Sequence, residues 1–269
     1  MGLLSGKTGV VMGVANEFSI ATAIVEVLRR EGANIVLSYL PDPSSSSQRM
    51  EKRVRSVAEK FGIKDVFPCD VRNDESLLAF AKSVEKVSKK IDFIVHSIAF
   101  APTDELDRPT FMTSREGFKL AMDISAYSLL AVLRSFDQML SSPSSILTLS
   151  YIGADRIVPG YNVMGICKAA LEAACRYAAY DLGPRHIRVN ALSAGPIKTL
   201  AASAVSDFSS IESLYQTNSP AKRAVTATEV ANAALYLVSD LSSGVTGETH
   251  YVDGGFSKMI APPADKLTT

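Results

Sequence analysis

The sequence predicts a single doubly wound α/β domain of Rossmann type, a parallel sheet with helices on both faces. Two observations carry that prediction. Short apolar runs rich in β-branched residues recur along the 269 residues, and amphipathic stretches of helical length lie between them. Strands that alternate with helices are joined by crossovers, so they run parallel and need helices over both faces.

The elements follow in order. Residues 8–12 (TGVVM) form the first strand, and 20–31 carry apolar residues at helical intervals. The second strand is 34–39 (NIVLSY), followed by a Pro- and Ser-rich loop over 41–48, and the third is 65–69. A helix over 74–89 begins after Asn73 or Asp74, either of which suits an N-cap. Strand four at 93–96 leads into a long amphipathic helix over 115–139. Strand five at 145–150 precedes a helix at 163–182, strand six covers 188–193, a helix covers 228–239, and 248–252 close the set of seven strands. No stretch rich in Pro, Gly or Ser is long enough to act as a linker between domains, so residues 1–269 read as one unit with a polar tail from 261.

Composition narrows the function. Twenty-eight basic residues balance twenty-eight acidic ones, and no basic stripe with interleaved aromatics argues for nucleic acid, so small molecules are the expected partners. No apolar run reaches membrane-spanning length, and the N-terminus lacks the pattern of a secretory signal. Gly6 stands where a myristoylation pattern wants a hydroxyl. Three cysteines, Cys69, Cys167 and Cys175, give neither a disulfide framework nor a metal knuckle. His96, His186 and His250 have no partners at ligand spacing, so no metal is expected. A reducing cytoplasm fits this cysteine usage, as would a plastid stroma if the chain is eukaryotic.

The chemistry starts from Tyr161 and Lys168, seven positions apart. On a helix this separation returns the side chains to within roughly 20° of one face, about 10 Å apart along the axis. A phenol near a fixed cation can stabilise negative charge on a substrate oxygen while the cation grips a cofactor, which points to redox chemistry at a carbonyl. After the first strand, Gly13 can turn tightly beside a phosphate, and Ser19 and Ala21 open the next helix, whose N-terminus favours an anion. The same residues suit an ordinary strand-to-helix turn. Other strand ends agree with a dinucleotide lying along the carboxyl edge of the sheet: Asp70 and Val71 for adenine, the small Ser97-Ile98-Ala99 beside a ribose, and Ala194-Gly195-Pro196-Ile197 for a carboxamide. No Arg or Lys closely follows Tyr39-Leu40 to meet a 2′-phosphate, Arg49 being the nearest, so NADH is expected over NADPH and Leu40 flanks adenine.

These segments resemble the short-chain dehydrogenase/reductase superfamily, and within it the bacterial enoyl-acyl-carrier-protein reductases of fatty-acid synthesis. The resemblance runs from Leu3 to Ser257 through GVANEFSIA at 13–21, SIAFAP at 97–102, 150–174, 188–203 and VDGGFS at 252–257. Typical superfamily members place the tyrosine four residues before the lysine, where this chain has Met164. The resemblance implies that Tyr161 is the catalytic tyrosine, Lys168 holds the nicotinamide ribose and Tyr151 is a second active-site tyrosine. It also implies a cofactor shell of Gly13, Ser19, Ile20, Asp70, Val71, Ile98, Lys168, Ile197, Lys198, Thr199, Leu200 and Ala201, with Ala101 beside the substrate. Leu40 departs from the polar or basic residues often found at its position.

The activity implied is reduction of a trans-2-enoyl thioester on acyl carrier protein. Tyr151 closes the pocket or is an ordinary strand-end aromatic. Residues 199–215 read as a helical flap over the acyl chain, since Phe208, Ile211 and Leu214 fall at helical spacing, and the same spacing suits permanent docking on the core. Met164, Phe208 and Ile211 are the candidate acyl contacts. The helix over 163–182 is apolar or alanine-rich around most of its circumference, which calls for a covering subunit, and the family suggests a homotetramer. The rivals are a ketoacyl reductase on the same scaffold and a non-catalytic NAD(P)-binding sensor.

Overall fold

The computed structural model describes residues 2–42, 48–197, 199 and 208–259, the side chains of 208–211 excepted. Seven strands among these residues form one sheet: β1 Thr8–Met12, β2 Asn34–Tyr39, β3 Val66–Pro68, β4 Ile91–His96, β5 Leu140–Ser150, β6 Ile187–Ala194 and β7 Thr249–Val252. Their order is β3-β2-β1-β4-β5-β6-β7, and each neighbouring pair is parallel. The strand order reverses between β1 and β4, which puts the crevice of a doubly wound sheet at their carboxyl ends.

Alternation of side chains across each strand builds a core on both faces. Val10, Met12, Ile94 and Ile146 point into one, packed under α3 Asp74–Val87, α6 Ser128–Phe136 and α7 Asn162–Leu182. Val11, Val95 and Leu147 point into the other, beneath α1 Ile20–Arg30, α2 Arg49–Lys60 and α9 Ala227–Val238. Both layers are fully buried, each large aliphatic side chain contributing roughly 1.5–3 kcal/mol of transfer free energy. Asn73 caps α3 by accepting from the amides of Glu75 and Ser76 at 2.8 and 3.1 Å. A reciprocal capping box of Thr226 and Glu229 starts α9.

Three local results depart from the expected elements. Helix α2 was not anticipated because only Val54, Val57 and Ala58 of its twelve residues are buried, too few apolar positions for a strong periodic signal. Strand β3 covers only Val66–Pro68, although the Cys69 amide still donates to the Tyr39 carbonyl at 2.8 Å, and Pro68 is accommodated because β3 is the edge strand.

The stretch 115–139 is not one helix. It runs as α5 Arg115–Met122, a π turn Asp123–Tyr127, α6, and a 3-10 turn Asp137–Met139. The wider turn accompanies two side-chain ties. Ser125 Oγ both accepts from the Phe100 amide and donates to the Phe100 carbonyl, each at 2.9 Å, and Ser128 Oγ donates to the Ile124 carbonyl at 2.6 Å. The helix thereby holds the loop after β4.

The reversal point depends on one glycine. Gly13 has φ +92°, and a Cβ there would lie 1.8 Å from the Ser97 carbonyl oxygen. Ser97 in turn donates its amide to the Met12 carbonyl at 3.2 Å, so β1 and β4 leave the sheet in backbone contact. Gly13→Ala is therefore expected to cost about 2–4 kcal/mol and to lower the thermal midpoint by roughly 5–10 °C. Gly183→Ala, where an added methyl meets nothing within 4 Å, is the calorimetric control and should stay within a degree or two.

Candidate active site

The site is built at the junction of β5 and α7. Tyr161 is the N-cap of α7, its carbonyl accepting from the amides of Met164 and Gly165 at 2.9 and 3.3 Å. Asn162 then takes φ +29°, a region that asparagine tolerates better than most residues. Its amide group donates to the carbonyls of Leu106 and Arg108, both at 2.6 Å, tying the helix start to the short helix α4 Thr103–Asp107 and the residue after it.

Lys168 lies further along α7 and is 5% exposed. Its Nζ donates to the Leu149 carbonyl near the end of β5 at 2.6 Å. Burial brings the ammonium down to about 8, opposed by Cys167 and Glu172. One turn on, buried Glu172 accepts from Ser150 Oγ at 2.5 Å and from the Thr249 side chain. Burial raises its carboxyl, and those two hydroxyls pull it back.

His96, at the end of β4, is fully buried and bonded to Thr148 Oγ1 at 3.0 Å and Ser128 Oγ at 2.8 Å. Since Ser128 spends its proton on the Ile124 carbonyl, it must accept from His96, which fixes the Nε2–H tautomer. Burial, then the nearby Lys168 cation, brings the imidazole down to about 3. It is neutral.

Two tyrosines meet over a glycine. Tyr151 follows β5 in extended conformation, and its ring stands edge-on to that of Tyr161, with centroids 4.9 Å apart and planes at 68°. A Cβ on Gly153 would come 2.5 Å from Tyr161 Cδ1 and 3.5 Å from Tyr151 Cδ1, so glycine alone admits this pair. Gly165 likewise lets α7 approach the Gly153 carbonyl. The Tyr161 ring keeps some exposed surface, but its phenol is enclosed, and burial first, then Tyr151 and Cys167, raise its pKa. The phenol stays protonated at neutral pH and is suited to donate a hydrogen bond. Met164 is buried with Leu106, Ala121, Val163 and Cys167, and Ala101 and Tyr161 pack on the same cluster, which brings Ala101, Met164 and Tyr161 together.

The residues expected to hold a dinucleotide line the carboxyl edge. Ser19 is the N-cap of α1 with no side-chain bond to its first turn, which leaves leading amides for an anion. Its Oγ instead accepts from the amides of Ala15 and Asn16 at 3.2 and 3.1 Å and shapes the turn. Ile20 is half-buried at the start of α1, Val71 is buried, Ile98 and Ile197 are half-buried, and Leu40 stands 48% exposed beyond β2. Asp70 is half-buried just beyond β3. Its carboxylate is clamped by Arg72, with Nη2 2.6 Å away, and this bond holds its pKa down. Thr199 is half-buried. Lys198, Leu200 and Ala201 lie outside the described residues, as do the side chains of Phe208 and Ile211 at the start of α8 Phe208–Asn218. Gly13 leaves no room for a side chain where a phosphate would pass, and together with the open first turn of α1 this fits a dinucleotide.

Comparison with known proteins places the chain in a family. The family model described as enoyl-(acyl carrier protein) reductase matches residues 13–257. The chain belongs to that family. It is 50% identical to enoyl-(acyl-carrier-protein) reductase (NADH) 1 of Rhizobium meliloti over 95% of this chain and 92% of the relative. Identity to the Salmonella typhimurium enzyme of the same activity is 47%, over 96% of each. Among solved structures, the Anaplasma phagocytophilum reductase in complex with NAD superposes with TM-score 0.92 at 44% identity, covering 98% of both chains. The Bacillus cereus reductase with NADP+ and an indole naphthyridinone gives 0.92 at 45%, covering 97% of this chain and 100% of that one.

The sequence reading of the family site missed three features. Gly153 carried no motif, although a glycine two residues beyond a strand-end tyrosine is a signal of crowding. The tie of Glu172 to Ser150 joins residues 22 apart, which periodicity does not register. On α8, Leu214 is 49% exposed while Tyr215 is 2% exposed, so the inward face runs through position 215 and not 214. The spacing of 208, 211 and 215 fits a helix equally well.

Two outcomes are expected. Gly153→Ala should displace the Tyr161 ring and reduce kcat by at least tenfold with little change in secondary structure by circular dichroism. The Lys168 ammonium titrates near 8 when folded against an ordinary 10.5 when unfolded. Between these values the unfolded chain binds more protons, so stability rises with pH across that window. Urea titrations on either side of it should show wild type gaining up to about 3 kcal/mol relative to Lys168→Met.

Proposed function

We propose that this protein is an NADH-dependent enoyl-acyl-carrier-protein reductase, which saturates trans-2-enoyl thioesters in fatty-acid synthesis. One observation carries the mechanism: the Tyr161 phenol, kept protonated by its enclosure, stands beside Tyr151 on the helix that also holds buried Lys168. Gly13, the first turn of α1, Asp70, Val71, Ile98, Lys168 and Ile197 with the segment 198–201 would hold the dinucleotide along the carboxyl edge of the sheet. When bound, the nicotinamide supplies a hydride to the β-carbon of the substrate. Negative charge then develops on the thioester oxygen, and a proton from solvent or a relay reaches the α-carbon to complete the saturated thioester. Tyr161 donates a hydrogen bond to that oxygen, a contribution of roughly 3 kcal/mol to the barrier by analogy with other oxyanion donors. Lys168 would hold a ribose hydroxyl of the cofactor, and Tyr151 would close the pocket. Ala101 and Met164, with Phe208 and Ile211 from a flap over 199–215, contact the acyl chain.

Preference for NADH is supported by the names of the relatives and by the surroundings of Leu40. Tyr39 donates to Glu51, and Glu51 holds Arg55 at 2.7 Å, so that cation is engaged. A single domain in the cytoplasm is the matching organisation, and no helix among the described residues is long and apolar enough to cross a membrane. The homotetramer is supported by α6 and α7, whose outer sides expose Leu130, Ile166, Tyr177 and Tyr180. Between them lies a groove of about 520 Å³ lined in part by Leu130, Leu133, Ala174 and Tyr177.

The direct test follows NADH absorbance with a crotonyl or longer enoyl thioester, and in parallel with acetoacetyl thioester. Turnover of the alkene is expected. Consumption of the ketone alone would overturn the assignment in favour of a ketoacyl reductase, and no turnover of either would favour a sensor. Tyr161→Phe is expected to lower kcat by about 10²-fold with NADH affinity within a factor of two, whereas Lys168→Ala should weaken NADH binding in fluorescence titrations.

A further inference from the structure

Tyr215 is among the largest fully enclosed side chains of the molecule, yet it sits on α8 in the flap segment, not on the sheet. Its ring is stacked on Phe256, with centroids 3.9 Å apart and planes at 15°. On another side, Tyr215 Cε1 comes within 3.5 Å of where a Cβ on Gly195 would stand, at the end of β6. The ring is therefore held by packing. Its hydroxyl is buried and makes no hydrogen bond of full geometry with any described group. An unpaired buried hydroxyl is unfavourable and calls for a partner in some working state of the protein.

The Tyr151 phenol is the neighbouring candidate: β5 and β6 pair Ser150 with Ser193, so Tyr151 leaves the sheet beside Ala194 and Gly195, the end against which the Tyr215 ring packs. The two hydroxyls perturb each other in the sense of Tyr215 as donor and Tyr151 as acceptor: the contact lowers the acidity of Tyr215 and raises that of Tyr151. Hydrogen bonds in active sites tighten when substrate arrives.

We infer that Tyr215 is a positioning residue for the reduction, donating its hydroxyl hydrogen to the Tyr151 oxygen so that the Tyr151 proton is directed at the substrate carbonyl. An acceptor already engaged by one donor becomes a better donor through its own O–H. The arrangement also ties α8 to the reacting end of the site, since Tyr215 can reach Tyr151 only while the helix is docked. This inference rests on the reading of Tyr151 as an active-site residue.

A double-mutant cycle on the full-length protein tests both. Tyr215→Phe keeps the ring, its stack on Phe256 and its volume, and removes only an unpaired hydroxyl, so the thermal midpoint should hold or rise. The expected result is a loss of about three- to tenfold in kcat/KM for a crotonyl thioester, with NADH affinity unchanged. In the Tyr151→Phe background the same change should have less than a twofold effect. Wild-type kcat/KM in Tyr215→Phe, or an equal loss in both backgrounds, would overturn the inference while leaving Tyr151 in place. Wild-type kinetics in Tyr151→Phe would instead overturn the reading of Tyr151, and the inference with it.

Discussion

The constraint on which the rest of this structure depends is the burial of one ammonium group. Lys168 has almost no exposed surface, and its compensation is local: a carbonyl at the end of β5 accepts its proton at 2.6 Å. A cation in such surroundings is stable only when its neighbours are fixed. Strand β5 and helix α7 are therefore locked in register, with Ser150 and Glu172 making a second tie one residue and one turn further on. The imidazole of His96, kept neutral by its burial and then by the nearby cation, serves as a hydrogen-bonded strut between β4, β5 and the start of α6. Tyr161 inherits its position from this frame.

Glycine supplies the remaining freedom. Where the sheet reverses order, Gly13 brings β1 against the backbone of β4, and where the two phenols meet, Gly153 clears the space beneath their rings. Both sites exclude even a methyl group, one against backbone and one against aromatic carbon. The first shapes an edge suited to a phosphate, and the second gathers donors at a carbonyl. A fold class alone provides neither feature, so the activity rests on single small residues at two strand ends.

Much of this organisation was legible in the sequence because it is written in local patterns. Runs such as Val10-Val11-Met12 announce a strand buried on both faces, and all seven strands lie within a few residues of where such runs place them. The pairing of Tyr161 with Lys168 was legible as a spacing, and the family resemblance gave it meaning. What stayed hidden depends on three-dimensional context. The charged helix α2 buries only three side chains, the clamp of Asp70 by Arg72 is a side-chain pairing that no spacing announces, and Leu214 and Tyr215 are equally good helix-face candidates until the direction of the core is known. The contacts of Phe208 and Ile211 lie outside the described residues.

The π turn at Asp123–Tyr127 has a consequence for how this family of chains can vary. It separates α5 and α6 into two helical phases, so that α5 follows the loop after β4 while α6 keeps Leu129, Val132 and Phe136 on the sheet. The turn absorbs one residue beyond the α-helical repeat, so removal of one residue there would return the segment to α-helical pitch with that apolar stripe still on the sheet, and would lose the tie of Ser125 to Phe100. The extra residue thus serves the loop after β4 and not the core beneath α6, and shortening the turn by one would release that loop while leaving the packed face of the helix in place.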